Sequence, residues 1–341
     1  MNRPVGTGLL AAALGLAVLV PFSARQGAAQ TSRQSFEIAA GSAAGSYFPV
    51  GELIASTISH PPGLARCDKP GVCGPPGLMV STRSSDGAAA NVLAVDAGQV
   101  ASGLAPGNIV ADAVAGRGTF RELGRQSHIR TIAALFPESM QLVVSTHSKI
   151  KSVRDLRGKR VSLGSEGSGE IAAGEILAAY GVSMRSLKLR HESDEAGAVL
   201  LQQGKLDAFF FLGTVPSPLV AGLMAKGSAR LVAIDARRLS SRNPGLSADV
   251  IPAGTYGNAA AIPTVGSRIL WIVKDTVSPA TVYGLVRALF HPANRALFAA
   301  APMDRLSLED AAKGLTAPLH PGAERFYREM GKLPAKPVRG K

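Results

Sequence analysis

Cysteine is nearly absent from this chain, with two residues among 341, Cys67 and Cys73. That scarcity excludes a disulfide-framework fold and a four-thiol zinc site. The pair flanks Asp68-Lys69-Pro70-Gly71-Val72, and in an exported protein two such thiols can close a loop. Zinc would need more ligands, and His60 is the one histidine nearby; a redox-active pair more often has two residues between its cysteines. A loop staple is the expectation. Aromatic residues make up only 5%, with a single tryptophan, Trp271, so the basic residues lack the interleaved rings that stack nucleic-acid bases. The six histidines, His60, His128, His147, His191, His291 and His320, are scattered without metal-ligand spacing. Enzyme signatures are missing as well. No serine sits in a Gly-x-Ser-x-Gly elbow, no Ser-x-x-Lys has its partner motifs, and neither a P-loop nor a convincing GxGxxG occurs. Glu170 and Glu175 fall on one expected helix and read as solvated carboxylates. Neither a catalytic centre nor a cofactor or metal site is expected.

Long hydrophobic runs are also lacking. The longest, Gly8 to Val20, has about 13 residues, short of the roughly 20 that span a bilayer. With Arg3 before it and Gly27-Ala28-Ala29 after it, the run reads as a secretory signal over residues 1–29, cleaved on export to the periplasm. No cysteine follows to carry a lipid anchor. The mature chain of about 310 residues is long for one core and suits two lobes sharing a cleft. Acidic residues are outnumbered, 24 Asp and Glu against 37 Lys and Arg, a net charge of +13. Such a balance points to anionic partners; nucleic acid is the weakest of them, and a small acidic solute fits an exported protein better. The densest basic cluster, Lys149, Lys151, Arg154, Arg157, Lys159 and Arg160, reads as a solvated surface that also helps to attract anions.

Short β-type runs alternate with helical patterns from Phe36 almost to the end, which indicates an α/β fold with mainly parallel sheets. Strands are expected at Phe36–Ala40, Leu78–Thr82, Val100–Leu104, Arg160–Gly164, Asp207–Leu212, Arg230–Ile234 and Gly266–Lys274. Helices are expected at Tyr47–Ser59, Ala88–Ala97, Ile109–Ala115, Ser168–Tyr180, Glu195–Gln203, Pro216–Lys226, Pro279–Phe290, Pro292–Ala300 and Leu306–Lys313. Ile129–Phe136 and Met140–Thr146 are two β-rich runs separated by Pro137-Glu138-Ser139, where the chain is expected to cross between lobes. The expected division is lobe 1 over 30–137, lobe 2 over 138–255, a return to lobe 1 over 256–332, and a loose tail over 333–341.

Three loops lie at the carboxy ends of expected strands, where open α/β sheets bind ligands. In Gly41-Ser42-Ala43-Ala44-Gly45-Ser46-Tyr47 small residues let backbone N–H groups approach a ligand, and the helix that follows favours negative charge. Gly164-Ser165-Glu166-Gly167-Ser168-Gly169 repeats that logic with Ser168 placed to cap a helix. Phe211 and Thr214 sit where the third strand delivers side chains to a cleft, whereas Phe209 and Phe210 read as core.

Taken together, these segments resemble the solute receptors of TRAP transporters of the TAXI family over nearly all of the mature chain. Gly41 to Gly51 resembles the family's opening loop and first helix. Ser148 to Gly169, with Asp155-Leu156-Arg157-Gly158-Lys159-Arg160-Val161, resembles its second-lobe entry, and Asp207 to Pro216 its strand and loop ending in Val-Pro. Ile251 to Tyr256, Ile262-Pro263-Thr264-Val265-Gly266 and Pro318 to Glu324 resemble its later signatures. The resemblance implies a type II periplasmic-binding-protein fold, two lobes closing on a glutamate-like amino acid or organic acid, and delivery by a monomeric receptor to sodium-coupled TRAP permease subunits. By matching positions it implies a ligand site of Ser42, Ala43, Gly45, Ser46, Tyr47, Ser85, Gly87, Ser165, Gly167, Ser168, Phe211, Thr214 and Pro216. Family members also carry Cys loops of this kind. One departure stands out: Pro106-Gly107-Asn108 replaces the usual Gln-Ser/Asn-Asp after the third strand, and proline lacks both the amide side chain and the backbone donor. An exported sensor or an enzyme on the same fold is the alternative expectation.

Overall fold

The computed structural model describes residues 33–334 except 44, 165–167, 240–244 and 301. The expected leader therefore lies outside the described residues, as do Ser165 and Gly167. Three strand-loop-helix units open the fold: β1 (Gln34–Ala39) and α1 (Tyr47–Ile58), β2 (Leu78–Arg83) and α2 (Ala88–Ala97), β3 (Ser102–Pro106) and α3 (Gly107–Ala115). A long strand, β4 (Ile129–Ser145), leads to a second set: β5 (Arg160–Ser162), α4 (Ser168–Ala179), β6 (Lys188–Arg190), α5 (Asp194–Gln202), β7 (Ala208–Gly213), α6 (Pro218–Ala225), β8 (Ala229–Val232) and β9 (Ser247–Ile251). The chain returns along β10 (Ile262–Lys274) and ends with α7 (Pro279–Leu289) and α8 (Pro321–Glu329).

Sheet order explains how two lobes arise from one ten-stranded sheet, β2-β1-β3-β10-β4-β7-β5-β6, with β8 paired to β4 and β9 to β10 off this path. In each half the first strand is flanked by the second and third in parallel, β2-β1-β3 and β6-β5-β7. Next to each trio lies a strand arriving from the other half, β10 or β4, and there the pairing is antiparallel. This is the type II periplasmic-binding-protein arrangement. The crossing strands β4 and β10 pair with each other, Ser139 opposite Gly266, Glu138 opposite Ser267 and Pro137 opposite Arg268.

The apolar cores divide at that same place. Ile132, Leu135 and Phe136 of β4 pack with Phe36, Ile54, Trp271 and Tyr327 in the first lobe, whereas Met140, Leu142 and Val144 pack with Val161, Ile176 and Phe210 in the second. Along β10 the change falls between Val265 and Ile269. Burial of apolar side chains holds each lobe together, and residues 137–139 and 266–268 contribute to neither core. Alternation along strands sends Phe209 and Phe210 into the cores on opposite faces of the second lobe.

Several local expectations change. The two β runs around Pro137 form one continuous strand. Pro137 has no N–H to give the ladder, and it lies where the β4–β10 register shifts, so the irregularity accommodates the missing donor. The segment expected as a helix over Leu306–Lys313 forms turns instead. Its Ala311 carbonyl accepts the Ala134 N–H of β4 at 2.8 Å, a tertiary bond that competes with helical pairing. Pro292–Phe298 is a 3₁₀ helix, and α8, β6 and β9 had no counterpart among the expected elements.

Cys67 and Cys73 form a disulfide with their Cα atoms 5.2 Å apart. The stapled loop is tied to the first lobe: Arg66 donates to the Thr57 carbonyl at 2.9 Å and to Asn294 Oδ1 at 2.8 Å, and Asn294 Nδ2 donates to the Val72 carbonyl at 2.7 Å. No helix among the described residues is long and apolar enough to cross a membrane.

Candidate functional site

Parallel pairing brings the carboxy ends of β1, β2 and β3 to one edge, so the loops entering α1, α2 and α3 are neighbours. One hydroxyl joins them. Ser85 Oγ accepts the Gly41 N–H at 3.0 Å and the Gly87 N–H at 3.4 Å, and it donates to Asn91 Oδ1. Buried Asn91 then donates through Nδ2 to the Leu104 carbonyl of β3 at 2.8 Å. Gly87 precedes α2 at φ 103°, a conformation only glycine adopts without strain. Ser85, implied as a ligand contact, thus has its hydroxyl engaged in holding the site together. Ser85→Ala is expected to cost about 1–2 kcal/mol, because it leaves two backbone donors and the Asn91 amide short of a partner; chemical denaturation measures the loss.

The other first-lobe candidates lie on the rim. Ser42, Ala43 and Ser46 are exposed, Gly45 and Tyr47 half-buried. The Gly45 N–H bonds to the Ser42 carbonyl at 2.8 Å, which makes Ser42 to Gly45 a tight turn before α1. Tyr47 reaches furthest inward. Its hydroxyl donates to Glu138 Oε2 at 2.7 Å, linking α1 to the strand that joins the lobes.

In the second lobe Gly164 closes β5 with φ 89°, the described part of its loop resumes at Ser168, the first residue of α4, and Thr214 and Pro216 lie on the loop after β7. That loop is held from below. Buried Gln141 donates to the Thr214 carbonyl at 3.4 Å and accepts the Tyr256 hydroxyl at 2.9 Å, while the same hydroxyl accepts the Ser217 N–H at 2.6 Å. Phe211 is half-buried against the α5–α6 apolar cluster and crowds Gly213, so it shapes the loop from its packed side.

Several contacts reach from lobe to lobe, among them α4 against α3, with Ile171 packed on the apolar cluster that holds Val110 and Ala113. Arg305 donates to the Val215 carbonyl at 2.9 Å. Gly245, just before β9, lies against α3 so closely that a Cβ there would meet Asn108 Cα at 2.1 Å. Glu138, on β4 opposite Ser267, is only 4% exposed. Burial pushes its carboxyl up to about 7; the Tyr47 hydrogen bond opposes that rise and the nearby Asp194 carboxylate adds to it. Asp194, the first residue of α5, is itself pushed up to about 6 by burial, with Glu195 adding to the shift. Asn108, 3% exposed, has no hydrogen-bond partner for either side-chain amide atom, and its backbone N–H donates to Ser267 Oγ at 3.3 Å.

A protein-family model, that of the NMT1-like family, matches residues 38–331. The chain belongs to the NMT1-like family. Among solved structures, this NMT1-like protein is similar to XAC2383 from Xanthomonas citri bound to chloride ion, at 11% sequence identity and TM-score 0.50, covering 87% of this chain and 95% of that one. It is also similar to the alkanesulfonate-binding protein SsuA from Xanthomonas axonopodis pv. citri bound to MOPS, at 15% identity and TM-score 0.44, covering 89% and 81%. The periplasmic aliphatic sulphonate binding protein SsuA from Escherichia coli matches at 14% identity and TM-score 0.45, covering 79% and 77%. At 11% identity the likeness to XAC2383 is one of fold.

Elsewhere in the NMT1-like chain five of the six histidines make structural contacts. His320 is fully buried, caps α8 and bonds the Val277 carbonyl, His291 caps the 3₁₀ helix Pro292–Phe298, His60 bonds the Gly74 carbonyl, and His128 and His191 face Asp275 and Glu170. Among the described residues no group of three or more His, Cys, Asp or Glu is placed to hold a metal ion. Asn91, Asn108, Gln141 and Asp194 escaped the sequence reading as site residues. Glu138 escaped it too, and a signal existed for two of these five: Asn91 interrupts an otherwise apolar stretch of α2, and Glu138 does the same within β4.

Proposed function

We propose that this protein is a periplasmic solute-binding receptor. It holds a small carboxylate-bearing solute, a glutamate-like amino acid or an organic acid, between its lobes, and delivers it to a membrane permease. One contrast carries the reading. Helices α5, α6, α7 and α8 have side-chain caps from Ser193, Ser217, Ser278 and His320, whereas Ser46, Gly87 and Pro106 before α1, α2 and α3, whose starts share the cleft edge, give none, although at α3 the Asn108 N–H is met by Ser267 Oγ. Uncapped helix starts leave N–H donors and the positive end of the helix dipole unanswered, and an anion supplies what is missing. Charge-assisted hydrogen bonds contribute about 1.5–3 kcal/mol each, so a few of them account for micromolar binding. The net charge of +13 favours capture of an acid at a distance.

Residues 137–139 and 266–268 serve as the pivot, since they join the lobes without belonging to either core. A solute that touches both lobes binds the closed form more tightly and so shifts the population toward it. The TAXI resemblance supports a sodium-coupled TRAP permease as recipient; uptake by the reconstituted system is then expected to follow a sodium gradient and to be indifferent to ATP.

Ser46→Asp tests the anion site. A carboxylate at the start of α1 is expected to raise stability by about 0.5–1 kcal/mol through the helix dipole and to weaken carboxylate binding about tenfold by occupying and repelling. Calorimetric titration with a panel of amino acids and dicarboxylates reads the second effect. Unchanged affinity in the stabilised variant contradicts an anion at this edge.

A further inference from the structure

Resting on that receptor reading, we propose that Glu138, Asn108 and Tyr47 form a subsite for a protonated nitrogen of the solute, so that the solute carries an ammonium group as well as an acid.

Glu138 occupies the middle of β4, at the pivot, and is almost entirely removed from water. A buried carboxylate is costly unless a cation or several donors answer it. Among the described residues its side chain has one hydrogen-bond partner, the Tyr47 hydroxyl, and no salt bridge. The charged neighbour that acts on it is Asp194, of like sign, and burial and that neighbour hold its carboxyl near 7. Arg268 does not neutralise it. Arg268 follows Ser267 on β10, so its side chain leaves by the opposite face of the sheet, where Asp310 and Arg305 are the charges that influence it.

Asn108 makes the second, independent observation. Ser267 lies directly opposite Glu138 in the β4–β10 ladder, and opposed residues of an antiparallel pair present their side chains on the same face. Ser267 Oγ accepts the Asn108 backbone N–H, which sets Asn108 on the Glu138 face. There its side-chain amide is buried with neither polar atom paired. Native proteins rarely leave such a group unanswered, and an unfilled ligand contact is one of the reasons that they do.

An ammonium group fits both deficits, because it brings three donors and a positive charge and accepts nothing. It can donate to the Glu138 carboxylate, to Asn108 Oδ1 and to the lone pairs of the Tyr47 hydroxyl, with Asp194 adding a longer-range attraction. The α3 start lies beside this subsite and the α1 and α2 starts lie along the same edge, so one small molecule can place its acid on the helix ends and its nitrogen at the pivot. The departure at Pro106-Gly107-Asn108 then has a function: with Pro106 supplying no donor, Asn108 offers an amide to the solute.

Matched probes test this on the purified full chain: L-glutamate against glutarate, L-aspartate against succinate, and L-alanine against propionate, each by calorimetry. The amine-bearing member of at least one pair is expected to bind at least tenfold more tightly than its amine-free partner. Glu138→Gln is expected to weaken that binding roughly 30-fold or more, the cost of removing one side of a buried charge pair. Thermal unfolding without solute at pH 8 checks that this variant folds. Binding at pH 6.5 is also expected to release a proton in the native protein, as Glu138 ionises to meet the ammonium, and to release fewer in Glu138→Gln. Equal binding within every pair, or full affinity in Glu138→Gln, overturns the amine subsite and leaves the receptor standing. Binding of no carboxylate of either kind overturns both.

Discussion

Replacing Gly245 by alanine is expected to remove most of the affinity for solute while both lobes stay folded. Gly245 belongs to the second lobe, where Leu246 beside it enters the core, and it touches the first lobe at the start of α3. A methyl group there would lie 2.1 Å from Asn108 Cα, 2.2 Å from Asn108 N and 2.5 Å from the Gly107 carbonyl carbon. All three are backbone atoms, so no side chain can turn aside; the lobes must part or α3 must shift. Parting relieves the overlap but also lifts Ile171 of α4 from the apolar cluster that includes α3. The closed form is penalised, and a ligand that depends on it loses affinity in proportion to the population lost. A loss of about 100-fold, near 2.7 kcal/mol, is expected. Calorimetry reads the affinity, and small-angle scattering reads the opening as a larger radius of gyration. Arg305→Ala removes the hydrogen bond to the Val215 carbonyl across the lobes and is expected to act in the same direction with a smaller effect, because a hydrogen bond to a backbone carbonyl is worth about 1–2 kcal/mol.

Stability without solute is expected to fall as pH rises from about 5 to 8. Glu138 and Glu175 both have their carboxyls pushed up to about 7, in each case mainly by burial. Glu175, on α4, also feels Asp112 of α3, while Arg117 works against the rise. In the unfolded chain these groups ionise near the ordinary glutamate value of 4.5. Between that value and 7 the folded state holds more protons than the unfolded state, so raising the pH favours unfolding. For Glu138, the contribution is present below pH 4.5 and lost as pH passes 7; it amounts to about 3 kcal/mol at 1.36 kcal/mol per pKa unit. His320, held low by burial, acts with the opposite sign below about 6.5, since the unfolded chain binds a proton that the folded one refuses. From pH 6.5 to 8 the opposing His320 contribution fades and the two carboxylates dominate the slope. Glu138→Gln is expected to flatten that slope and to make the protein more stable than the native chain at pH 8, the usual sign for removing a buried charge without a cation. A steeper slope in the variant contradicts the account.

Much of the architecture could be read from spacing. The helix expected at Ala88–Ala97 is the helix found, and the strand-loop-helix order of both lobes follows from apolar runs punctuated by Gly, Ser and Pro. Short strands were invisible for a physical reason. Lys188–Arg190 is a three-residue edge strand with no fully buried residue, so no alternation marks it. Leu306–Lys313 has a helical pattern, yet the tertiary bond from Ala134 to Ala311 overrides it.

The site was legible where it depends on local sequence and obscure where it depends on register. Glycines at 41, 87 and 164, all at positive φ, mark loop turns that any reading would flag. Glu138 and Asn108 become neighbours only through Ser267, 159 residues beyond Asn108. No motif announces that meeting. The hydroxyl of Ser85 shows the converse: a position matched to a ligand contact has its hydrogen bonds directed into the scaffold that aligns three helix starts.

Native mass spectrometry of the gently purified protein, with identification of any compound released on denaturation, bears most directly on the receptor claim. One small acid per chain is expected, its mass lost in Gly245→Ala. A chain that retains nothing and whose melting is unmoved by every carboxylate in a broad panel, or one that retains a cation without an acid group, contradicts it.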